Sequence, residues 1–279
     1  MKDYLTIKEF SKLSGIEQTT LRYWDEIGLF VPAKRNSETN YRYYTPWQMI
    51  AAKFVTVMSG LDVPLKVISE TERGRTPKSI RDLIFRQEKH LDMQMRLLRE
   101  RYSVIHTRVE LINMGLDLES DGAFNASLNG SGCFIIIADR EDRAYIPGPP
   151  NDFGGKNLFF EPLMNFYKKA EEMRINTNYP IGGLHGDIEA FLKAPAQPEY
   201  FFSMDPTGNR LRPAGKYLIG LTRGYYGELN GLPEKMNAYI KERKLAVSGP
   251  VYTVYLFDEV CMAEQSQYLA QVSVAVSNV

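Results

Sequence analysis

The chain has 279 residues, 44% of them hydrophobic and 12% aromatic, with 34 basic and 34 acidic side chains and a formal charge of zero. This composition suits two ordinary globular domains and excludes a disordered chain or a bulk polycation. Charge is distributed, however: residues 1–75 carry net +2, 76–119 net +1 and 120–279 net −3. Contact with an anionic backbone must therefore come from local placement of Lys and Arg. Cys133 and Cys261 lie far apart beside apolar residues, with no Cys or His nearby. They read as buried free thiols in a reducing compartment, so neither a metal nor a cofactor is expected. No run approaches the ~20 apolar residues of a membrane span, and the N-terminus lacks the apolar core of a signal peptide. A cytoplasmic protein without a membrane partner is expected.

Thr6 with Glu9 three residues on is a capping-box pattern. Ile7, Phe10 and Leu13 then have helical spacing, and Gly15 closes the element. A second helix starts near Glu17, with Leu21, Ile27 and Leu29 or Phe30 facing inward. Two short helices broken at Ser14-Gly15 form a helix-turn-helix, whose second helix presents its N-terminal residues to base edges. Here those residues are Gln18, Thr19 and Arg22, with Tyr23 beside them. Val31 to Thr45 reads as a hairpin with a polar tip, Ala33 to Asn40, and a returning strand, Tyr41-Arg42-Tyr43-Tyr44. A helix offering Arg and Tyr beside a wing offering Tyr and Arg suits a DNA backbone and base edges. A surface helix and hairpin that happen to be aromatic is the competing reading.

Thr45-Pro46 starts a third helix, with Trp47, Ile50, Ala51, Phe54, Val57 and Met58 as its apolar stripe, and Pro64 opens a fourth. A long helical stretch follows from about Pro77 to Asn113. Ile84, Leu91, Leu98, Ile105 and Ile112 recur every seven residues, and Met95, Tyr102 and Val109 supply the second apolar heptad position. A helix of ~55 Å needs a partner to cover that stripe. A second copy of the chain is one solution; packing on its own C-terminal domain is the other.

Ser120 to Asn129 reads as a Gly/Asn/Ser-rich linker. Beyond it, strands are expected at Gly132–Ala138, Arg143–Ile146, Ile181–Ile188 and Tyr200–Met204, with a helix over Leu158–Glu172. The order then repeats: a strand at Gly215–Leu221, a helix over Pro233–Lys244, and strands at Val251–Phe257 and Leu269–Val276. Two such units make an antiparallel sheet with helices on one side and a cleft between the halves.

The segments TIKEFSKLSGIEQTTLRYWDEIGLFVP and NYRYYT, followed by a helix and a long dimerising helix, resemble the MerR family of transcription regulators. LPEKMNAYIKERKLAVSGPVYTVYL and the element order around it are similar to the gyrase-inhibitor-like ligand-binding domain of the multidrug-sensing members. The resemblance implies an α+β fold in three parts: a winged helix-turn-helix over 1–75, a coiled-coil dimerisation helix over 76–119 and an effector-binding domain over 120–279. It implies a homodimer that binds double-stranded promoter DNA between the −35 and −10 elements. Ligand binding would distort that DNA and bring the two elements into register for RNA polymerase. The DNA-contacting pattern maps onto Gln18, Thr19, Arg22, Tyr23, Asn40, Tyr41, Arg42 and Tyr43, with Thr6 placed to touch phosphate.

The metal-sensing branch carries cysteines past the long helix, and residues 111–132 have none, which favours a small hydrophobic organic effector. An aromatic pocket would attract a lipophilic cation, with Phe160, Tyr179, Tyr226, Tyr255 and Tyr268 as the aromatic candidates. The glutamate position of the family falls on Thr253 in VYTVYL, so another acid such as Glu161, Asp187 or Asp258 substitutes, ring faces carry most of the binding, or the ligand is uncharged or zwitterionic. Two other functions compete with a ligand-gated activator. One is a constitutive DNA binder. The other is a hydrolase using His185 with Asp187, two residues apart on one strand face.

Overall fold

The computed structural model describes residues 3–72, 74–154 and 159–278. It divides into two units, Met1–Leu98 and Arg99–Val279.

The first unit contains β1 (Leu5–Thr6), α1 (Ile7–Ser14), α2 (Gln18–Glu26), β2 (Lys34–Arg35), β3 (Arg42–Tyr44), α3 (Gln48–Gly60), α4 (Leu65–Glu72) and the start of α5 (Pro77–Glu119). The expected capping box sets the first helix: Glu9 N–H donates to Thr6 Oγ1 at 3.2 Å, and Thr6 N–H donates to the Glu9 carboxylate at 2.8 Å. Gly15 ends α1 at φ 72°, a left-handed conformation in which a Cβ is strained. The strands form an antiparallel sheet in the order β1-β3-β2, so the returning strand of the wing is tied to the segment that leads into α1. Phe10, Leu21, Trp24, Phe30, Tyr44 and Val55 meet in one core. The Tyr44 ring lies 4.7 Å from that of Phe10 and 5.7 Å from that of Phe30.

Three expectations about which residues face inward need correction. Leu13 and Ile27 are exposed. Trp24, three residues after Leu21, takes the inward place on α2, and the left-handed turn at Gly28 returns Leu29 and Phe30 to the core. Both of their N–H groups donate to the Trp24 carbonyl, at 2.8 and 3.1 Å. On α3 the buried face is Ala52, Val55 and Met58, whereas Trp47, Ile50 and Val57 are exposed. That helix is apolar nearly all round, so periodicity could not fix its phase.

The second unit opens with the rest of α5, which runs six residues past the expected Asn113. The expected linker is instead a helix, α6 (Gly122–Ser131). Asp121 caps it by accepting from Ala123 N–H at 2.8 Å, Phe124 anchors it by complete burial, and Gly132 ends it at φ 74°. Tertiary packing of one aromatic outweighs weak propensity here.

There follow β4 (Cys133–Arg140), β5 (Arg143–Pro150), α7 (Phe160–Met173), β6 (Ile181–His185), α8 (Ile188–Lys193), β7 (Tyr200–Ser203), β8 (Arg210–Arg212), β9 (Gly215–Arg223), α9 (Leu232–Arg243), β10 (Leu245–Phe257) and β11 (Leu269–Asn278). Among the described residues the sheet is eight-stranded, in the order β4-β9-β11-β10-β6-β7-β5-β8. All its pairings are antiparallel. The expected repeat is present in the topology. In each half, the strand before the helix pairs with the second strand after it, β5 with β7 and β9 with β11. The halves join along β6 and β10, where Gly183 faces Thr253 and His185 faces Val251.

Alternation along the strands gives the sheet two faces. His185, Phe201, Val251 and Tyr255 belong to the face covered by α7, α8 and α9. Leu184, Phe202, Tyr252 and Val254 belong to the other, where Phe124 of α6 and Leu111 of α5 pack. Cys133 is buried as expected, but Cys261 is exposed, because it follows the end of β10 in a solvent-facing turn.

Candidate DNA-reading surface and effector cavity

On α2, Thr19, Arg22 and Tyr23 are exposed and Gln18, the first helical residue, is half-buried. Arg22 thus presents a free-reaching guanidinium of the kind that reads guanine edges. On the wing, Tyr41 is exposed, its ring 5.5 Å from that of Tyr43. Asn40 adopts φ 54° to turn the hairpin, and its side-chain oxygen accepts from Arg35 Nη1 at 3.3 Å. The Thr6 hydroxyl donates to Glu9 at 2.9 Å, so a phosphate oxygen would compete with that carboxylate for its proton.

Arg42 has a second occupation. Its Nε donates to Asp25 Oδ2 at 2.5 Å, while Arg35 Nη2 reaches both Asp25 oxygens at 2.6 Å. The Asp25 side chain is only 1% exposed. A buried carboxylate on α2 thus grips both strands of the wing and ties helix and wing together. Sequence reasoning missed Asp25 and Arg35. The available signal was an acidic residue directly beside the inward-facing Trp24.

In the second unit, a cavity lies on the helix-covered face of the sheet, lined by Phe159, Tyr167, His185, Phe201, Tyr226, Thr253 and Tyr255. Of the five aromatic candidates, Tyr226 and Tyr255 line it. Tyr268 stands behind them, its ring 5.6 Å from that of Tyr226. Phe160 packs on Tyr225 at 5.5 Å, and its neighbour Phe159 takes the cavity position, stacked parallel over Tyr226 at 6.1 Å. Tyr179 is buried away from the cavity, beside Ser103 of α5. The rings nearly fill the space, leaving about 40 Å³ open.

The polar groups of the cavity fall into two sets. The Tyr255 hydroxyl accepts from Gly227 N–H at 3.0 Å and donates to the Tyr225 carbonyl at 3.1 Å. The Tyr226 hydroxyl donates to the Glu259 carboxylate. Burial pushes both phenols up, so both stay protonated donors at neutral pH. The second set is unsatisfied: Thr253 Oγ1 and His185 Nδ1 are buried without a hydrogen-bond partner. His185 Nε2 donates to the Ala194 carbonyl at 3.1 Å, which leaves Nδ1 as a bare acceptor. Burial lowers the pKa of this histidine and keeps it neutral, and its bond to Ala194 opposes that only in part.

None of the three proposed acids lines the cavity. Glu161 is exposed in the first turn of α7. Asp187 caps α8 by accepting from Ala190 N–H at 2.7 Å. Asp258 accepts from Arg108 at 3.1 Å and Val260 N–H at 3.0 Å. The carboxylate attached to the cavity rings is that of Glu259. The hydrolase constellation also fails, because β6 ends at His185 and Asp187 belongs to a helix cap. Among the described residues, no group of three His, Cys, Asp or Glu side chains is placed to hold a metal, and no helix is long and apolar enough to cross a membrane.

Residues 5–75 match the MerR HTH family regulatory proteins. Over the whole chain, the sequence is 23% identical to the multidrug-efflux transporter 2 regulator of Bacillus subtilis (strain 168), covering 100% of this chain and 98% of that protein. It is 22% identical to the multidrug-efflux transporter 1 regulator of the same organism, over 99% of each. Both relatives are named as regulators, not enzymes. A solved structure described as an EcmrR–DNA complex in EcmrR-RPo matches 99% of this chain and 100% of its own at 15% identity, with a TM-score of 0.39.

Proposed function

We propose, for a chain whose residues 5–75 match the MerR HTH family regulatory proteins, that two copies bind one promoter and distort its DNA when a lipophilic aromatic cation enters the ring-walled cavity. The observation that carries the effector half of this reading is the cavity itself. Five aromatic rings from different elements converge on two unsatisfied neutral acceptors, Thr253 Oγ1 and His185 Nδ1. A protonated aromatic amine answers both features. Its charge lies against ring faces, each contact worth ~0.5–2 kcal/mol, and its N–H groups supply the missing donors. Glu259, held at the edge by Tyr226, adds negative potential without being desolvated. Because a drug-sized ligand needs ~300 Å³ or more, loading displaces the Phe159–Tyr226 stack.

The dimer is supported by α5. Leu98, Tyr102, Ile105 and Val109 are all exposed along one heptad seam, although each is apolar or aromatic. A second copy of the same helix covers such a seam at the least cost in specificity. Arg22 and Tyr23 on α2 then recur by two-fold symmetry, as an inverted-repeat operator requires. Work at a promoter beside RNA polymerase places the protein in the cytoplasm.

The test is calorimetric titration of the full-length protein with tetraphenylphosphonium and with an aromatic amine cation that carries N–H groups, such as rhodamine 6G. Both should bind, and Tyr255→Leu should weaken both. His185→Phe should weaken only the amine, because the phosphonium ion has no N–H. If neither compound binds, cation sensing is wrong. If both bind but His185→Phe leaves the amine untouched, the acceptor role of Nδ1 is wrong.

A further inference from the structure

A second, larger cavity lies on the opposite face of the same sheet, with about 310 Å³ of open space. Tyr252 and Val254 line it, and they alternate along β10 with Thr253 and Tyr255, which line the first cavity. The two cavities are therefore separated by the thickness of the sheet. The second has an apolar end and a cationic end. Tyr145, Phe202 and Tyr252 form the first, with ring centroids 5.0 to 6.2 Å apart, joined by Leu111 and Met114 from α5. Arg140, Arg143 and Arg212 converge at the second.

The three arginines differ in how far they are already satisfied. Arg143 is paired with Glu110 at 3.1 Å. Arg140 donates to the Asp139 carbonyl at 3.4 Å and to Gln271 Oε1 at 3.5 Å, and Arg212 Nη2 donates to the Glu141 carbonyl at 3.0 Å. The Nε atoms of both Arg140 and Arg212 are buried without a partner. Among the described residues, no carboxylate is paired with either guanidinium, while the Arg212 group lies 5.2 Å from the Tyr217 ring. Two further buried polar residues, Gln271 and Ser273, floor the site. Asp139, Glu141 and Asp142 belong to its rim but are exposed, so solvent screens them. Unpaired charges removed from water count for more than charges left in it.

We propose that this second cavity binds an amphiphilic organic anion, a carboxylate or phosphate ester carrying an apolar body. Its charge meets Arg140 and Arg212, and its body lies against Tyr145, Phe202 and Tyr252. Planar guanidinium groups bind carboxylate and phosphate with two parallel N–H donors, which fits an oxyanion better than a halide. The pKa of Arg212 is lowered, first by burial and then by the charges of Arg143 and Arg140, a cost that a bound anion relieves. The hydroxyl of Tyr252, kept protonated by burial, is hydrogen-bonded to the Tyr145 side chain at the same wall. The cavity is chemically the inverse of the first, so the domain has separate seats for a lipophilic cation and an amphiphilic anion.

The test uses the full-length protein and four small probes in calorimetric titration: phenyl phosphate, benzoate, neutral benzyl alcohol and cationic benzylamine. One or both anions should bind in the millimolar range or better, with the neutral and cationic analogues at least about tenfold weaker. Phenyl phosphate tighter than benzoate would identify the ligand as a phosphate ester; the reverse order would identify a carboxylate. Arg140→Gln and Arg212→Gln should each weaken the anion by about tenfold or more, Arg140→Lys should lose less than Arg140→Gln, and Tyr255→Leu in the first cavity should change nothing. Should the arginine variants fail to fold, phenyl phosphate must slow phenylglyoxal modification of Arg140 and Arg212 in the native protein, read by peptide mass spectrometry. No binding of either anion overturns the proposal. So does binding that is indifferent to both arginines, preference for benzylamine through the acidic rim, or modification unaffected by the anion.

Discussion

The grip of Asp25 on the wing makes a prediction whose sign is not obvious from counting contacts. Asp25 receives three charge-assisted bonds, two from Arg35 and one from Arg42. Its side chain is 1% exposed, whereas those of Arg35 and Arg42 are 40% and 21% exposed. Truncating the acid therefore frees two guanidiniums that can reach water. Truncating both bases strands a carboxylate that cannot. Asp25→Asn alone should cost about 2 kcal/mol, a surface-discounted share of the value for bonds to charged groups. Arg42→Ala alone should cost about 1–2 kcal/mol, because Arg35 remains. Arg35→Ala with Arg42→Ala should cost about 3–5 kcal/mol, the penalty for an uncompensated buried charge. Adding Asp25→Asn to that double variant should restore stability. Urea unfolding followed by tryptophan emission is the assay, since both tryptophans, Trp24 and Trp47, lie in the first unit and only Trp24 is buried there. Additive losses, with no recovery in the triple variant, would refute the reasoning.

Three further outcomes are expected. Arg22→Ala should weaken binding to a selected operator by about 1–3 kcal/mol and relax base preference, measured by fluorescence anisotropy; equal loss on random DNA would reassign Arg22 to phosphate contact. Replacing both Leu98 and Ile105 with glutamate should give monomers in sedimentation velocity, and persistent dimers would remove the coiled-coil account. His185 makes the second unit acid-sensitive. Its folded pKa lies below the ordinary 6.5, so the unfolded chain takes up more protons between the two values. The stability tied to neutral His185 is complete above pH 6.5 and is lost as pH falls below it. His185→Gln should flatten that slope in circular-dichroism melts from pH 7.5 to pH 5, and an unchanged slope would contradict it.

The N-terminal unit was legible in sequence because its signals are local. A capping box, a left-handed glycine and an alternating aromatic strand each act within a few residues, and each stands where expected. Inward phase was less legible. α3 is apolar on most of its circumference, so only the position of its neighbours selects Ala52, Val55 and Met58. The helix over 122–131 was hidden because Gly, Asn and Ser argue for a loop, and only the burial of Phe124 argues otherwise. The candidate cavity needed the register between β6 and β10, which brings His185 and Thr253 together from 68 residues apart. Phe159 lining the cavity in place of Phe160 is a matter of where α7 begins, the least readable feature of any helix. The Asp25 cluster was invisible for a similar reason, since its partners come from a hairpin whose tip residues carry no apolar pattern.

The most direct test of the account is selection of duplex DNA from a random pool by the purified full-length protein. An enriched inverted repeat, lost with Arg22→Ala and narrowed to single half-sites by the Leu98 and Ile105 glutamate variant, is the predicted result. Enrichment of an asymmetric site, or of no site at all, would contradict a symmetric reader built from α2 and the wing.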